Sequence, residues 1–213
     1  MPTTLRAVLF DWDGTLVDTS EASFRCYTRM FEAYGIPFDR ETYARTYSPN
    51  WYRTFRELGL AEEHWPEADA RWLEHFACET VELIDGAREL LESVTARRLA
   101  SGIVTSGSRE RVERELVAFG LAQHVHECVY GADLREKKPH PEGLLLCLER
   151  LGVAPEAAVY VGDSAEDIEM ARAAGVYAIG VPGPYPNRES LAGAKPDALA
   201  RSLREVLELI DGR

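Results

Sequence analysis

Positive charge is what this chain has least of. Across 213 residues, 24 lysines and arginines stand against 36 aspartates and glutamates, a formal net charge of -12. A phosphate backbone would repel such a surface, so no nucleic-acid partner is expected. The balance does not exclude a phosphorylated small molecule, because a bound divalent cation and a few local basic groups can reverse the sign inside one pocket. Cysteine is sparse too. Cys26, Cys78, Cys128 and Cys147 lie far apart without a CxxC pair, which fits neither a zinc site nor a disulfide framework. Reduced, partly buried thiols are the expectation. No stretch approaches membrane-spanning length. The apolar run near the start is too short for a signal peptide and stops at an acidic cluster. A cytoplasmic protein without a membrane partner is therefore expected, acting as a monomer or weak homodimer. Internal repeats and low-complexity tracts are missing as well.

What remains is ordinary globular composition, 46% hydrophobic and 28% charged. The length allows one sizeable core, or a core with a small accessory domain. Short apolar runs at 7–10, 102–105, 158–161 and 176–179 read as buried parallel strands, with 127–130 a weaker candidate. Amphipathic stretches at 87–97, 109–119, 141–151 and 165–174 read as helices between them. This alternation predicts an α/β fold, a doubly wound parallel sheet with helices on both faces and its ligand beyond the carboxyl ends of the strands. Residues 17–83 break the rhythm. They are helical in pattern, rich in aromatics and without a convincing strand, so they read as a small helical domain inserted after the first strand. The predicted division is a core of residues 1–16 and 84–213 and an insertion of residues 17–83. Most of the aromatics have a plain explanation, since a small helical core needs large side chains.

Four segments carry chemistry. The first strand ends in Asp11-Trp12-Asp13-Gly14-Thr15, two acids one residue apart that repel unless a cation or a hydrogen-bonding frame compensates. An Asp-Gly turn with solvated acids is the plain alternative. The second strand runs into Thr105-Ser106-Gly107-Ser108, a hydroxyl- and amide-rich turn whose helix N-terminus can receive phosphate oxygens, or simply be capped. Lys137-Lys138-Pro139-His140-Pro141 places a fixed charge before a helix, or a solvated basic pair. Gly162-Asp163-Ser164-Ala165-Glu166-Asp167 suits a hard-cation site, or a helix cap. Each lies at a predicted strand end or the start of the next helix, so all four should converge at one sheet edge.

The order DxDGT, hydrophobic-Thr-Ser, Lys-Pro, GDSxxD resembles the haloacid dehalogenase-like hydrolase superfamily. The resemblance covers the whole chain and points to the branch with a helical cap after the first motif, which includes phosphoglycolate phosphatases and beta-phosphoglucomutases. It implies a nucleophile at Asp11 that forms an aspartyl phosphate, and a general acid and base at Asp13. It implies Mg²⁺ held by Asp11, the Asp13 carbonyl and Asp163, with Asp167 orienting metal waters or Lys138. Thr105, Ser106 and Gly107 would receive phosphoryl oxygens, and Lys138 would offset the charge on nucleophile and phosphoryl group. An acid at position 13 implies an oxygen leaving group, because neither halide nor a C–P bond calls for one there.

The implied activity is hydrolysis of a small phosphorylated metabolite, phosphoglycolate-like or a sugar phosphate. A phosphomutase is the near alternative, similar around Asp18-Thr19-Ser20-Glu21 and Phe24-Arg25, but Ser23 stands where that family has a histidine. A signalling receiver domain, which also phosphorylates an aspartate on a doubly wound sheet, is the alternative of another class. Substrate contacts on the insertion are expected among Arg45, Tyr47, Ser48, Trp51 and Arg53. Arg45 or Arg53 would pair with a substrate carboxylate, or both are surface charges. Glu166 and Glu169 read as surface positions.

Overall fold

The computed structural model describes residues 1–212. In chain order the strands are β1 (Ala7–Phe10), β2 (Val17–Asp18), β3 (Glu82–Leu83), β4 (Ala100–Val104), β5 (Glu127–Val129), β6 (Ala158–Gly162), β7 (Tyr177–Gly180) and β8 (Ala198–Leu199). The helices are α1 (Ser20–Glu32), α2 (Arg40–Thr46), α3 (Trp51–Glu57), α4 (Trp65–Phe76), α5 (Ala87–Ala96), α6 (Arg109–Ala118), α7 (Glu142–Leu151), α8 (Ala165–Ala173), α9 (Arg188–Gly193) and α10 (Leu203–Asp211).

Six strands form one parallel sheet in the order β5-β4-β1-β6-β7-β8. The chain winds outward from β1 to β4 and β5, then returns to the other side of β1 for β6, β7 and β8. The winding direction therefore reverses between β1 and β6, and a crevice opens beyond their carboxyl ends. β1 is buried throughout because both faces of the sheet are covered. Val8 and Phe10 point into one core with Leu90, Leu91, Val112 and Val206, from α5, α6 and α10. Ala7 and Leu9 point into the other with Leu144, Cys147 and Ile168, from α7 and α8. The two-residue period of the strand thus feeds two separate cores.

Helices α1 to α4 pack around an aromatic cluster that includes Phe31, Phe38, Tyr43 and Phe55. The sequence pattern predicts no strand in 17–83, and here the structure differs. Val17 pairs with Leu83 and Asp18 with Glu82, antiparallel, where the chain leaves the sheet and where it returns. Two residues per strand are too few to show a period, so the stalk is invisible in the pattern. Among the described residues no helix is long and apolar enough to cross a membrane.

Candidate active site

The strand register decides what meets at the crevice. Phe10 lies level with Ile103 of β4 and Val161 of β6, so the residues that follow each of these strands emerge side by side. Asp11 donates its backbone N–H to the Val161 carbonyl at 2.9 Å, the last rung before the chain turns away. Gly14 carries the turn at φ +83, and a Cβ there would lie 2.6 Å from both Asp163 Oδ2 and the Tyr185 ring. Only glycine permits this backbone and this approach together.

Lys138 is 4% exposed, and its ammonium is fully partnered. Nζ lies 2.8 Å from Asp11 Oδ1, 2.8 Å from Asp167 Oδ1 and 2.9 Å from the Tyr160 hydroxyl, which accounts for three donors. Burial works against its charge, but Asp11 and Asp167 outweigh burial and hold the pKa above the usual lysine value. Asp167 is engaged on both oxygens, because Oδ2 accepts from the Ser164 amide at 3.1 Å and hydroxyl at 2.6 Å. Ser164 and Asp167 form a reciprocal capping box at the start of α8. The helix-cap reading of GDSxxD and the site reading are thus both realised in one motif.

Asp163 has a different environment. Its two oxygens accept from the Thr15 hydroxyl at 3.2 Å and the Asn187 amide at 3.1 Å, and among the described residues it has no ion pair. Burial, then the neighbouring charges of Asp167 and Asp11, raise its pKa well above the ordinary aspartate value. Asp11 is likewise raised, to about 7, by burial first, with Lys138 opposing. Asp11, Asp163 and Asp167 each offer an oxygen within 4.8 Å of the others, and all three are buried. Three buried carboxylates against one buried ammonium leave an excess of negative charge, and a hard divalent cation among these oxygens fits that imbalance.

Asp13 faces a cation that the sequence reading does not anticipate. Arg111 on α6 is 5% exposed and reaches Asp13 with both terminal nitrogens. Its Nη1 also lies 3.1 Å from Glu115 Oε2, one turn along the same helix, and Glu115 accepts from the Trp12 indole N–H at 2.6 Å. Trp12, Glu115, Arg111 and Asp13 therefore form one chain that brings the first motif back to α6. A Cβ at Gly107 would collide with the Arg111 guanidinium, so glycine in that turn clears its path. The Thr105 hydroxyl accepts from the Gly107 amide at 2.9 Å, and the Ser108 side chain makes no capping bond to α6.

A cavity of about 320 Å³ begins at Asp11 and Asp13, passes Thr105, Ser106 and Gly107, and ends against the helical insertion. Tyr47, Ser48 and Trp51 line it, as expected for insertion contacts. Arg45 and Arg53 do not. Arg45 is exposed and bonded to Glu57 at 2.6 Å. Arg53 is exposed and pairs with Glu166 at 3.3 Å. Glu166 corrects the surface reading of that position: its side chain is only 13% exposed and also accepts from the Ser48 hydroxyl, joining α8 to the insertion. Tyr185 and Asn187, in the loop after β7, are also absent from the sequence expectations. The Tyr-Pro-Asn triplet after the last long strand was their only signal, and it contains no acid or base to attract notice.

Acids and a lysine gathered where a doubly wound sheet reverses its winding place the protein among α/β enzymes that bind ligands beyond their strand ends. Residues 8–181 match the haloacid dehalogenase-like hydrolase family, and the chain belongs to it as a phosphatase-type enzyme. It is similar to the phosphoglycolate phosphatase of Yersinia pseudotuberculosis, 31% identical over 216 residues that cover 97% of this chain and 93% of that one. Among solved structures it is similar to CbbY from Rhodobacter sphaeroides in complex with phosphate. That match has a TM-score of 0.81 and 30% identity over 95% of this chain and 96% of the other. A haloacid dehalogenase-like hydrolase from Streptococcus pneumoniae, at 22% identity, shares the fold with a TM-score of 0.85 over 98% of this chain and 99% of that one. The receiver-domain alternative falls with the family match.

Proposed function

We propose that the protein hydrolyses a small phosphorylated metabolite through a phospho-aspartate on Asp11, with Mg²⁺ as cofactor and residues 17–83 as a cap over the site. The observation that carries this reading is the setting of Asp11, a buried carboxylate at the switch point with Lys138 Nζ 2.8 Å from Oδ1 and two more buried aspartates beside it. Asp11, Asp163 and the Asp13 carbonyl would hold the cation. Asp167, with both oxygens engaged, acts mainly by fixing Lys138. When bound, the cation supplies charge neutralisation for the phosphoryl oxygens.

The chain's own groups account for the remaining chemistry. An Asp11 oxygen attacks phosphorus, the ester P–O bond breaks, and the leaving alkoxide takes a proton from Asp13. Asp13 then takes a proton from water, whose oxygen attacks the phosphoryl group. The bond to Asp11 breaks and inorganic phosphate leaves. Arg111 keeps the Asp13 carboxylate in one direction through both steps. Thr105, Ser106 and Gly107, at the open start of α6, receive phosphoryl oxygens. Lys138 offsets the charge that builds between nucleophile and phosphoryl group.

The relatives carry phosphoglycolate phosphatase names, and another structure of CbbY holds xylulose-(1,5)bisphosphate, so small phosphorylated metabolites are the supported class. Water as acceptor is favoured over a sugar hydroxyl. Among the described residues no histidine lines the cavity, and Ser23 at the mutase position is bonded to the Tyr185 hydroxyl at 3.1 Å. The test is a screen of phosphorylated metabolites with Mg²⁺ and released phosphate as readout, paired with mass spectrometry of the trapped intermediate. An adduct on any side chain other than Asp11 sinks the mechanism.

A further inference from the structure

Strand β6 reads Ala158-Val159-Tyr160-Val161-Gly162, and the tyrosine hydroxyl is its only polar side-chain atom. Tyr160 is fully buried. Its ring belongs to the core formed with Leu9, Leu144, Cys147 and Ile168, a place that a phenylalanine ring would fill as well. The hydroxyl is therefore extra to the packing, and a buried hydroxyl is costly unless it is bonded. Here it has partners on every side. Lys138 Nζ donates to it at 2.9 Å, and Asp167 Oδ1 and the Val104 carbonyl oxygen each lie 3.1 Å away. An ammonium can only donate, so the hydroxyl accepts from Lys138 and sends its own proton to one of these two oxygens.

Those partners come from separate segments of the site. Lys138 precedes α7, Asp167 lies in the first turn of α8, and Val104 is the last residue of β4, directly before Thr105. Lys138 in turn reaches Asp11. A lysine ammonium on its four-carbon stem is a mobile point charge. Held by Asp11 and Asp167 alone, it could swing and leave one buried N–H unpaired. The Tyr160 oxygen takes that N–H and closes the remaining freedom.

We infer that Tyr160 is a positioning residue for phosphoryl transfer: its hydroxyl, acting through Lys138, keeps the ammonium aimed at Asp11. Tyr160 does not line the cavity, so it acts on the reaction without touching substrate. The inference rests on the phosphatase reading and deepens it.

The test is Tyr160→Phe, which removes one oxygen atom and keeps the ring, including its place 5.6 Å from Lys138 Nζ. With p-nitrophenyl phosphate and Mg²⁺, kcat should fall at least about tenfold while KM stays within about threefold, because the contacts assigned to the bound phosphoryl group are left in place. A second readout needs neither substrate nor cation. The chain has three lysines, Lys137, Lys138 and Lys195. In a lysine-selective proton–nitrogen correlation spectrum of the metal-free wild-type chain, buried Lys138 should give a protected ammonium signal, whereas exposed Lys195 exchanges freely with water. Lys137→Met and Lys195→Met assign the signals by elimination. In folded Tyr160→Phe the Lys138 ammonium protons should exchange at least about tenfold faster. The wild-type spectrum guards against a variant that does not fold, since a Lys138 signal without protection there overturns the inference. A kcat within about threefold of wild type, a loss that falls on KM instead, or an exchange rate unmoved in folded Tyr160→Phe also overturns it and leaves the phosphatase intact. Failure of the wild-type chain to release phosphate from any ester removes the phosphatase reading, and this inference with it.

Discussion

Arg111 holds Asp13 by both ends of its carboxylate, with Nη1 2.9 Å from Oδ1 and Nη2 2.5 Å from Oδ2, across 98 residues of sequence. The paired geometry orients the acid as a single point charge would not. Arg111→Lys keeps the charge and loses the fork, so turnover should fall by about 10- to 100-fold while the protein stays folded. Arg111→Ala leaves Asp13 and Glu115 without a buried cation and should cost about 3–5 kcal/mol, read by urea denaturation. Full activity in Arg111→Lys would show that direction at Asp13 does not matter.

Asp13→Asn should slow both formation and breakdown of the phospho-enzyme by about 100-fold or more, because in the proposed mechanism both steps pass a proton through this side chain. Only its backbone carbonyl is assigned to the cation, so Mg²⁺ affinity measured by calorimetry should change little. Lost affinity would mean that the side chain itself is a ligand.

Stability should depend on pH in a direction set by the buried acids. The folded pKa of Asp11 is raised from 3.8 to about 7, mainly by burial, and that of Asp163 is also raised. Between those pH values the folded chain binds more protons than the unfolded chain, so stability is present at low pH and lost as pH rises through about 7. Without metal, the melting temperature should fall between about pH 5.5 and pH 8 by at least about 2–4 °C, the equivalent of 1 kcal/mol in a chain of this length. Saturating Mg²⁺ should abolish the fall at the alkaline end, because the cation replaces the lost protons. Differential scanning calorimetry in EDTA and in Mg²⁺ measures both arms, and a metal-free chain that gains stability with pH would contradict the assignment.

Gly14→Ala should be poorly tolerated. The positive φ costs about 1–3 kcal/mol for a residue with a side chain, and the new methyl would push on Asp163 Oδ2 and the Tyr185 ring. Loss of thermal stability together with weakened Mg²⁺ binding is expected. A variant with native Mg²⁺ affinity would show that Asp163 is free to move.

Most of the sheet was legible because its central strands are short, largely apolar and end in chemistry, whereas β8, with two residues, is too short to show a pattern. Ala7 to Phe10 followed by Asp11 is visible as a string. The structure separates two lysines that the string places side by side: Lys138 lies against Asp11 and Lys137 over Trp51. What stayed hidden was tertiary. Arg111 and Glu115 look like any i, i+4 ion pair on a charged helix, and only the register of β1 against β4 brings them under Trp12 and Asp13. For Arg45 and Arg53 the surface alternative is the one realised, since position near an aromatic stretch says nothing about which way a long side chain turns.

The loop after β7 touches two parts of the molecule within three residues. Asn187 bonds Asp163 in the crevice, while the Tyr185 hydroxyl bonds Thr19 and Ser23 at the start of α1 and its ring stacks on Tyr47. Such a short tether is nearly inextensible. A displacement of α1 against the sheet would therefore reach Asp163 by way of Asn187. Entry past the helices and the position of Asp163 would then be geared to one another, and a change in tension along this loop would be felt in the crevice as a change in grip.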